Sequence, residues 1–339
     1  MKFVTFGEVM LRLSPPGHYR LLQSSSLNMT LAGAEANVAA DLACLGEQAS
    51  FVTRFPVSPL SQIAVNELRK YGVDTSDIMY GGDRIGLIFV EKGASQRPSN
   101  VIYDRKYSAI SQCRQDEPDW DKIFDGAGWF HLSGITPALG GELPAICLDA
   151  CRKAKEKGVT VSLDLNYRSK LWSREQACKV MTELCRYVDV CIANEEDVKD
   201  VFGIVPEGSD IEGGKLSVDG YRKTAEQLFS RFGFSKVTFT LRESINADIN
   251  DWSAVLCTKD NAFVSKKYRI NIVDRVGGGD SFAAGLIYSL ANGKSNSDSI
   301  EFATAMSCLK HTVEGDFALI TVEEVNALVA GSGSGRVKR

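Results

Sequence analysis

The feature that most constrains this fold is an alternation of strand-like and helix-like segments across the middle of the chain. Short apolar runs occur at residues 129–133, 159–165, 188–193 and 236–241, and segments with helical spacing at 143–157, 175–186 and 221–232 separate them. Strands that alternate with helices in this way favour a parallel sheet whose crossover helices pack on its faces. The pattern therefore predicts an α/β fold with a mainly parallel central sheet flanked by helices.

The N-terminal third departs from this alternation. A first strand is expected at residues 2–6, and helices are expected at 34–45 and 59–71. Around them, residues from about 11 to 31 and from about 85 to 108 contain short strand-like runs bounded by turn residues. We interpret these two stretches as small strand-and-loop excursions from the main sheet.

A glycine-rich loop and one aspartate precede a strongly apolar helix near the C-terminus. Residues 277–279 are all glycine, Asp280 follows, and apolar residues recur every four positions from Phe282. Successive amide groups at a helix N-terminus bind anions, so a phosphate would fit there. Asp280 could then accept a proton from a hydroxyl that attacks the phosphoryl group. The segment favours phosphoryl transfer to an alcohol, although Asp280 is also a common type of helix cap.

Polar residues follow three of the predicted strands, where the carboxyl ends of a parallel sheet gather their ligands. They lie in residues 164–168, 194–197 and 242–244. Each group also has a simpler interpretation. Asn194 could only cap a helix that has acids in its first turn, and a single arginine such as Arg168 could only be a solvated surface charge.

Two segments resemble the signatures of the ribokinase-like (PfkB) carbohydrate kinases. They are Asp274-Arg275-Val276-Gly277-Gly278-Gly279-Asp280 and Ala32-Gly33-Ala34-Glu35-Ala36-Asn37-Val38-Ala39, the latter followed by Gly46 and Gly72. The resemblance implies a ribokinase-like three-layer sandwich formed by one kinase domain at 1–330. The strands within 11–31 and 85–108 would form a small lid, and 331–339 a flexible tail. In the family, Gly277, Gly278 and Gly279 would form the anion hole and Asp280 would be the catalytic base.

Two further stretches, 103–109 and 164–172, resemble the 2-keto-3-deoxygluconate kinases within that family, and Arg275 in the signature points the same way. The resemblance implies that Tyr103, Arg105 and Arg168 hold the acid sugar. Guanidinium groups suit this role because they bind carboxylates in bidentate fashion. We therefore predict ATP-dependent phosphorylation of the 6-hydroxyl of 2-keto-3-deoxygluconate. A kinase for fructose or another neutral sugar, and a non-catalytic sugar-binding regulator, are the alternatives.

The resemblance also assigns the remaining contacts. Gly33, Ala34 and Asn37 would touch the sugar, although Ala32 stands where the family often has a second glycine. Asn194, Glu195 and Asp197 resemble a motif that orders Mg²⁺ and phosphate through water, with Asp in place of the usual final Glu. We also predict ATP contacts from Asn194, Arg242, Glu243, Gly277 and Gly279, although Arg242-Glu243-Ser244 stands where many members of the family have a Lys-x-Gly-like turn. A role for a monovalent cation is left open.

Composition limits the partners and the cellular location. The net charge of −4 gives no reason to expect nucleic acid or an anionic membrane as a partner. Nine cysteines without a Cys-x-x-Cys pair, together with three histidines, argue against a disulfide framework or a zinc site. No Walker A sequence or dinucleotide-binding fingerprint is present. We expect a cytoplasmic enzyme without an export signal, which forms a homo-oligomer.

Overall fold

The computed structural model describes residues 1–205 and 218–331, except for the side chain of Glu195. The predicted C-terminal tail beyond residue 331 and most of a surface insertion expected at 203–220 lie outside the described residues. Within the described part, one large sheet has helices on both faces and a small four-stranded sheet lies beside it.

The bounds of the strands follow in chain order. They are β1 (Lys2–Phe6), β2 (Met10–Ser14), β3 (Asn28–Ala32), β4 (Gln48–Val52), β5 (Arg54–Phe55), β6 (Met79–Tyr80), β7 (Gly86–Glu91), β8 (Asn100–Asp104), β9 (Ala127–Ser133), β10 (Thr160–Asp164), β11 (Val190–Ala193), β12 (Lys236–Ser244), β13 (Ile249–Cys257), β14 (Ala262–Val264) and β15 (Tyr268–Asn271).

The helices are α1 (Ala34–Cys44), α2 (Pro59–Lys70), α3 (Trp120–Ile123), α4 (Ile135–Ala138), α5 (Leu143–Glu156), α6 (Arg174–Cys185), α7 (Glu195–Phe202), α8 (Val218–Phe232), α9 (Gly278–Ala291), α10 (Asn296–Lys310) and α11 (Val322–Val329).

The large sheet has the order β14-β13-β12-β11-β10-β9-β1-β4, and β15 also pairs with β13. The six strands from β12 to β4 run parallel, whereas β13, β14 and β15 are antiparallel additions at one end. The predicted alternation is thus confirmed, with boundaries that differ by one to three residues. The short helices α3, α4 and α11 and the strand β15 were not predicted, because each is too short to show a clear period.

Two apolar cores lie on opposite faces of the large sheet, because successive side chains of a strand point to opposite faces. Val4 joins the core under α5, α6 and α8, whereas its neighbour Phe3 joins the core under α1, α9 and α10. Helix α9 is apolar around most of its circumference and lies between α1 and α10. This arrangement is the predicted three-layer sandwich, and it fixes the N-terminus of α9 relative to the sheet.

The small sheet has the order β3-β2-β7-β8, and its strands fall within the two stretches that were interpreted as strand-and-loop excursions. Met10, Ala32, Ile88 and Val90 form a minor core on one of its faces, against which Val276 packs. The small sheet is therefore anchored next to the glycine loop. Among the described residues, no helix has the length and hydropathy required to cross a bilayer.

Candidate active site

A cleft of about 710 Å³ lies where the carboxyl ends of the parallel strands face the small sheet. All of the predicted site residues except Glu195, whose side chain is not described, contribute to its wall. They are Gly33, Ala34, Asn37, Tyr103, Arg105, Arg168, Asn194, Asp197, Arg242, Glu243, Gly277, Gly278, Gly279 and Asp280. Residues that are separated by more than 240 positions in the sequence thus surround one cavity.

The three glycines of the loop have different surroundings. Gly277 has a left-handed backbone with a φ of 84°, and a Cβ there would lie 2.1 Å from the carbonyl oxygen of Asp316. A Cβ on Gly278 would lie 2.4 Å from the imidazole of His311, whereas a Cβ on Gly279 would meet nothing within 4 Å. Packing therefore explains the first two glycines. Gly279 instead keeps open the part of the cleft above the N-terminus of α9.

Asp280 lies in the first turn of α9, and its carboxylate accepts a hydrogen bond of 2.6 Å from the side-chain amide of Asn37. Burial raises the pKa of Asp280 to about 7, helped by the nearby carboxylates of Asp316 and Glu35, while Asn37 acts in the opposite direction. A carboxylate with this pKa is suited to accept a proton near neutral pH. Among the described residues, none caps α9 with its side chain. Asp280 is thus not the helix cap that the simpler interpretation suggested.

The start of α1 is held by a buried carboxylate that sequence reasoning did not single out. Glu35 accepts hydrogen bonds from the amide and hydroxyl groups of Ser133 and from the hydroxyl of Thr136, at 2.7 to 2.9 Å. Gly33 lies just before it, and a Cβ there would lie 2.2 Å from the carbonyl oxygen of Glu8. These contacts fix the first turn of α1 and thereby hold Asn37, two residues after Glu35, against Asp280.

Arg168 and two carboxylates, Asp164 and Asp197, form another part of the cleft wall. Arg168 is exposed to the cleft and donates a hydrogen bond to the carbonyl oxygen of Tyr167. Burial raises the pKa of Asp197 to about 6 and that of Asp164 well above its usual range, and Arg168 opposes both shifts. The positive charge of Arg168 therefore already lowers the pKa of both carboxylates, and its exposed guanidinium can also bind an anionic ligand.

Arg105 is not a free guanidinium. Its Nε donates to a carboxylate oxygen of Glu8 at 2.7 Å, and its Nη2 contacts the same oxygen. The ring of Tyr103 lies 5.3 Å from the guanidinium carbon. The sequence reasoning missed Glu8, which belongs to no recognised motif, although its place two residues after the first strand was an available signal. The other carboxylate oxygen of Glu8 is buried and has no hydrogen-bond partner among the described residues, so Glu8 acts here mainly as the partner that fixes Arg105 at the cleft.

Asn194 caps α7, as the simpler interpretation proposed. Its side-chain oxygen accepts the amide hydrogen of Asp197 at 2.8 Å, and Asp197 in turn accepts the amide hydrogen of Tyr167 at 2.9 Å. Among the described residues, no three His, Cys, Asp or Glu side chains are grouped as metal ligands. The donors that remain would suit an ion that keeps most of its water molecules, as Mg²⁺ does.

The far end of the cleft carries two arginines. Arg275 donates to the carbonyl oxygen of Ala247, and its pKa is lowered by burial and by the neighbouring charge of Arg242. Glu243 lines the same wall but pairs with Lys267 at 2.6 Å. Two cations held close together beside the glycine loop create a positive potential that would attract a polyphosphate.

A buried network of charges lies beneath the glycine loop, formed by Arg12, Asp274, Lys310 and Asp316. Arg12 pairs with Asp274 at 2.6 Å and with Asp316 at 2.5 Å, and all four residues are at most 3% exposed. Asp274 was recognised as part of the signature, but its partners were not. An arginine between the apolar residues Leu11 and Leu13 of β2 was the one available signal.

Residues 1–320 match the pfkB family of carbohydrate kinases. A curated relative from Haloferax volcanii, named 2-dehydro-3-deoxygalactonokinase, is 35% identical over 335 residues, with 98% of each chain covered. The crystal structure of 2-dehydro-3-deoxygluconokinase from Thermotoga maritima is 53% identical, covers 98% of this chain and 100% of its own, and superimposes with a TM-score of 0.94. A ribokinase-like protein from E. coli, solved with ATP and Mg²⁺, is 18% identical over 97% of this chain and 99% of its own. Its TM-score of 0.81 shows the shared fold alone.

Proposed function

The chain belongs to the pfkB family of carbohydrate kinases, and from that premise we propose that it phosphorylates the 6-hydroxyl of 2-keto-3-deoxygluconate (2-dehydro-3-deoxygluconate) with ATP as donor. The observation that carries the proposal is the position of Asp280. It is a carboxylate with a pKa of about 7 beside the open glycine N-terminus of α9, in a cleft that also contains Arg168. One cavity then contains the base, the anion hole and a cation that can pair with an acid sugar.

In the proposed reaction, the sugar lies between Asn37 and the small sheet with its hydroxyl near Asp280. The hydroxyl oxygen attacks the γ-phosphorus of ATP, the bond between that phosphorus and the β,γ-bridging oxygen breaks, and ADP leaves. The hydroxyl proton passes to the carboxylate of Asp280, which the amide of Asn37 holds in position. The amide groups of Gly277 and Gly279 would offset the charge that develops on the transferred group, whereas that of Gly278 already donates to the carbonyl oxygen of Arg275 at 3.3 Å.

Mg²⁺ bound together with ATP would neutralise phosphate charge. Asn194 and Asp197 are the described residues that would hold it, through water. Arg242 and Arg275 would attract the phosphate chain of the nucleotide from the other side. The cations of this end of the cleft therefore act on the donor, whereas Arg168 acts on the acceptor.

Recognition of an acid sugar would come mainly from Arg168, because its guanidinium is exposed to the cleft. Arg105 would contribute as half of a pair with Glu8, which holds its guanidinium in place at the cleft so that a remaining N–H group can donate to the sugar. Tyr103 would cover the same side of the ligand. A neutral sugar would leave the charge of Arg168 without a partner.

A second candidate substrate is 2-keto-3-deoxygalactonate, since the 35% identical relative carries that name. The two sugar acids differ only in the configuration of one hydroxyl group, at C4. Both would present the same carboxylate and the same terminal hydroxyl. The choice between them would therefore depend on the group that meets the C4 hydroxyl rather than on the arginines.

An ADP-release assay with both sugar acids, fructose and ribose tests the proposal. We expect kcat/KM for one or both acids to exceed that for fructose by about 100-fold or more, because the carboxylate of an acid pairs with the guanidinium of Arg168, which fructose would leave without a partner. Arg168→Gln should remove most of this preference. Equal or better turnover of fructose would contradict the role of Arg168, and sugar binding without ATP turnover would identify a non-catalytic binder.

We also propose a cytoplasmic location and assembly into a homo-oligomer. All nine cysteines are unpaired, which fits a reducing compartment. The small sheet leaves Met29 and Ile102 each 47% exposed on its edge strands. The edge strands that carry them also present unpaired main-chain groups on which a strand of another subunit could add.

A further inference from the structure

Lys310, the last residue of α10, is a fully buried lysine whose ammonium group is surrounded by backbone carbonyl oxygens. Its Nζ donates to the carbonyl oxygens of Gly315 at 2.6 Å, Asp274 at 3.2 Å and Val313 at 3.4 Å. An ammonium group has three hydrogens and no acceptor. Three acceptors for three hydrogens therefore satisfy it completely, as burial of a charge requires.

These carbonyl groups belong to the two segments that support the glycine loop. Asp274 lies three residues before Gly277 on one side. On the other side, Gly315 directly precedes Asp316, whose carbonyl oxygen fills the position where a Cβ of Gly277 would be. The carboxylate of Asp274 accepts the amide hydrogen of Val276 through one oxygen and that of Gly315 through the other. The ammonium group of Lys310 thus hydrogen-bonds to both segments that support the loop.

The charges around Lys310 balance only when its ammonium group is counted. Two buried carboxylates, Asp274 and Asp316, face two buried cations, Arg12 and Lys310. Burial raises the pKa of a third carboxyl group nearby, that of Asp41, well above its usual range and so keeps it uncharged, and Lys92, which lies 3.8 Å from Asp274, is paired with Glu314. Loss of the Lys310 charge would leave this buried region with one excess negative charge. That charge would lie close to Asp280, whose pKa Asp316 already raises.

An ordinary role at a helix C-terminus does not account for the whole arrangement. A lysine at the end of α10 would be favoured by the helix dipole and could bind the carbonyl groups that follow the helix, such as those of Val313 and Gly315. It would not need complete burial or a third bond to Asp274, which is 36 residues away in the sequence. A cage of backbone carbonyl oxygens is instead the type of site in which proteins hold a monovalent cation.

We infer that the ammonium group of Lys310 acts as a built-in monovalent cation which positions the glycine loop, so that the kinase needs no bound K⁺ or NH₄⁺. Lys310 is in this sense a positioning residue, because it acts on the transferred phosphoryl group only through the loop. The inference rests on the proposed kinase activity. For the monovalent cation whose role the sequence left open, it predicts that none is required.

The first test uses the unmodified protein. Its kcat is measured with the chloride salts of K⁺, NH₄⁺ and choline at equal ionic strength, with ATP and Mg²⁺ saturating. We expect the three rates to agree within about twofold, because the cage is already filled. Activation of about tenfold or more by K⁺ or NH₄⁺ would overturn the inference even though the proposed function stands. Absence of sugar phosphorylation in every salt would instead contradict the proposed function.

The second test empties the cage with Lys310→Ala. In choline chloride, kcat should fall about 10- to 100-fold, comparable to or below the loss of one donor from an oxyanion hole. K⁺ or NH₄⁺ should restore most of the rate, and should raise the thermal unfolding midpoint of this variant but not that of the unmodified protein. Lys122→Ala removes a surface lysine that pairs with Asp77 and serves as the matched control.

A purely structural lysine would give a different result. Lys310→Ala would then lose stability and activity together, and small cations would restore neither, which would overturn the inference. Full activity of the variant in choline would overturn it as well. If the variant does not fold in choline or in K⁺, the salt dependence of the unmodified protein decides the question alone.

Discussion

At the scale of a single residue, two opposing sets of interactions determine the pKa of the Asp280 carboxylate. Burial and the neighbouring carboxylates of Asp316 and Glu35 favour its protonated form, whereas the amide of Asn37 and the charge of Arg168 favour the ionised form. The first set prevails and raises the pKa to about 7. A base must be ionised to accept a proton, yet a more strongly basic carboxylate accepts it more readily. A value near neutrality is a compromise between these requirements.

We therefore predict that kcat/KM rises with pH and levels off above a pH of about 7, as Asp280 loses its proton. Asp280→Asn should lower kcat by about 10²- to 10⁴-fold and abolish this pH dependence. Initial rates from pH 5 to 9 measure both effects. A flat profile for the unmodified protein, or an Asn variant that retains nearly the full rate, would contradict the assignment of Asp280 as base.

The same shift in pKa predicts an effect on stability. The folded protein raises the pKa of Asp280, so the favourable contribution of this group is present below its unfolded value near 4 and is lost as the pH rises through about 7. Asp280→Asn should thus unfold like the unmodified protein at pH 4, and be more stable by about 1–3 kcal/mol at pH 8. Urea unfolding at the two pH values measures the difference.

At the scale of one element, the glycines at the N-terminus of α9 have two different roles. Two of them are required by packing, and the third leaves space for a ligand. Gly277 and Gly278 have no side chains because Asp316 and His311 occupy that space, while the space next to Gly279 is empty. Helix interiors and first turns normally favour alanine over glycine. A glycine without a conformational or packing reason therefore indicates that a ligand comes close to its backbone.

Gly279→Ala should consequently fold with a free energy of unfolding equal to the unmodified value or up to about 1 kcal/mol higher. Its kcat/KM for ATP should nevertheless fall about 10- to 100-fold, because the methyl group would displace the phosphoryl group from the amide donors. Gly278→Ala is the contrasting variant and should lose stability through contact with His311. A fully active Gly279→Ala protein would show that the phosphate binds elsewhere.

On the scale of the whole molecule, Arg12 connects the small sheet to the glycine loop. It comes from β2, and its guanidinium reaches Asp274 before the loop and Asp316 beneath it. Its Nε also donates to Ser14 within β2. Since all these groups are buried, the pairs are not screened by solvent as a surface pair would be. The position of the small sheet is thereby tied to that of the anion hole.

Arg12→Met should lower the free energy of unfolding by about 3–5 kcal/mol near pH 8, because two buried carboxylates would lose their partner. The loss should be smaller at pH 5. Burial already raises the pKa of Asp316, and without Arg12 that pKa would rise further, so protonation would relieve the penalty. Arg84→Met breaks an exposed pair with Asp104 in the same small sheet and should cost at most about 1 kcal/mol at either pH.

Sequence reasoning located most of the cleft but could not establish the state of each residue. Asp280 and Arg168 stood out because each follows a predicted turn or strand end, where ligands gather. The pairing of Arg105 with Glu8 could not be anticipated, since 97 residues separate the two and neither lies in the other's motif. Lys310 was passed over because a lysine near the end of a helix is ordinary. That residues 1–330 form a single kinase domain with a lid stays a prediction.

The sequence by itself determined the layered α/β fold, the helix that starts at the glycine loop and the carboxylate at its mouth. These features depend on hydrophobic period and backbone conformation, which act between near neighbours in the chain. Only the tertiary structure decided which charges neutralise each other and what pKa the base has. Such properties depend on burial and on partners as remote as Arg12 and Asp316, which are 304 residues apart.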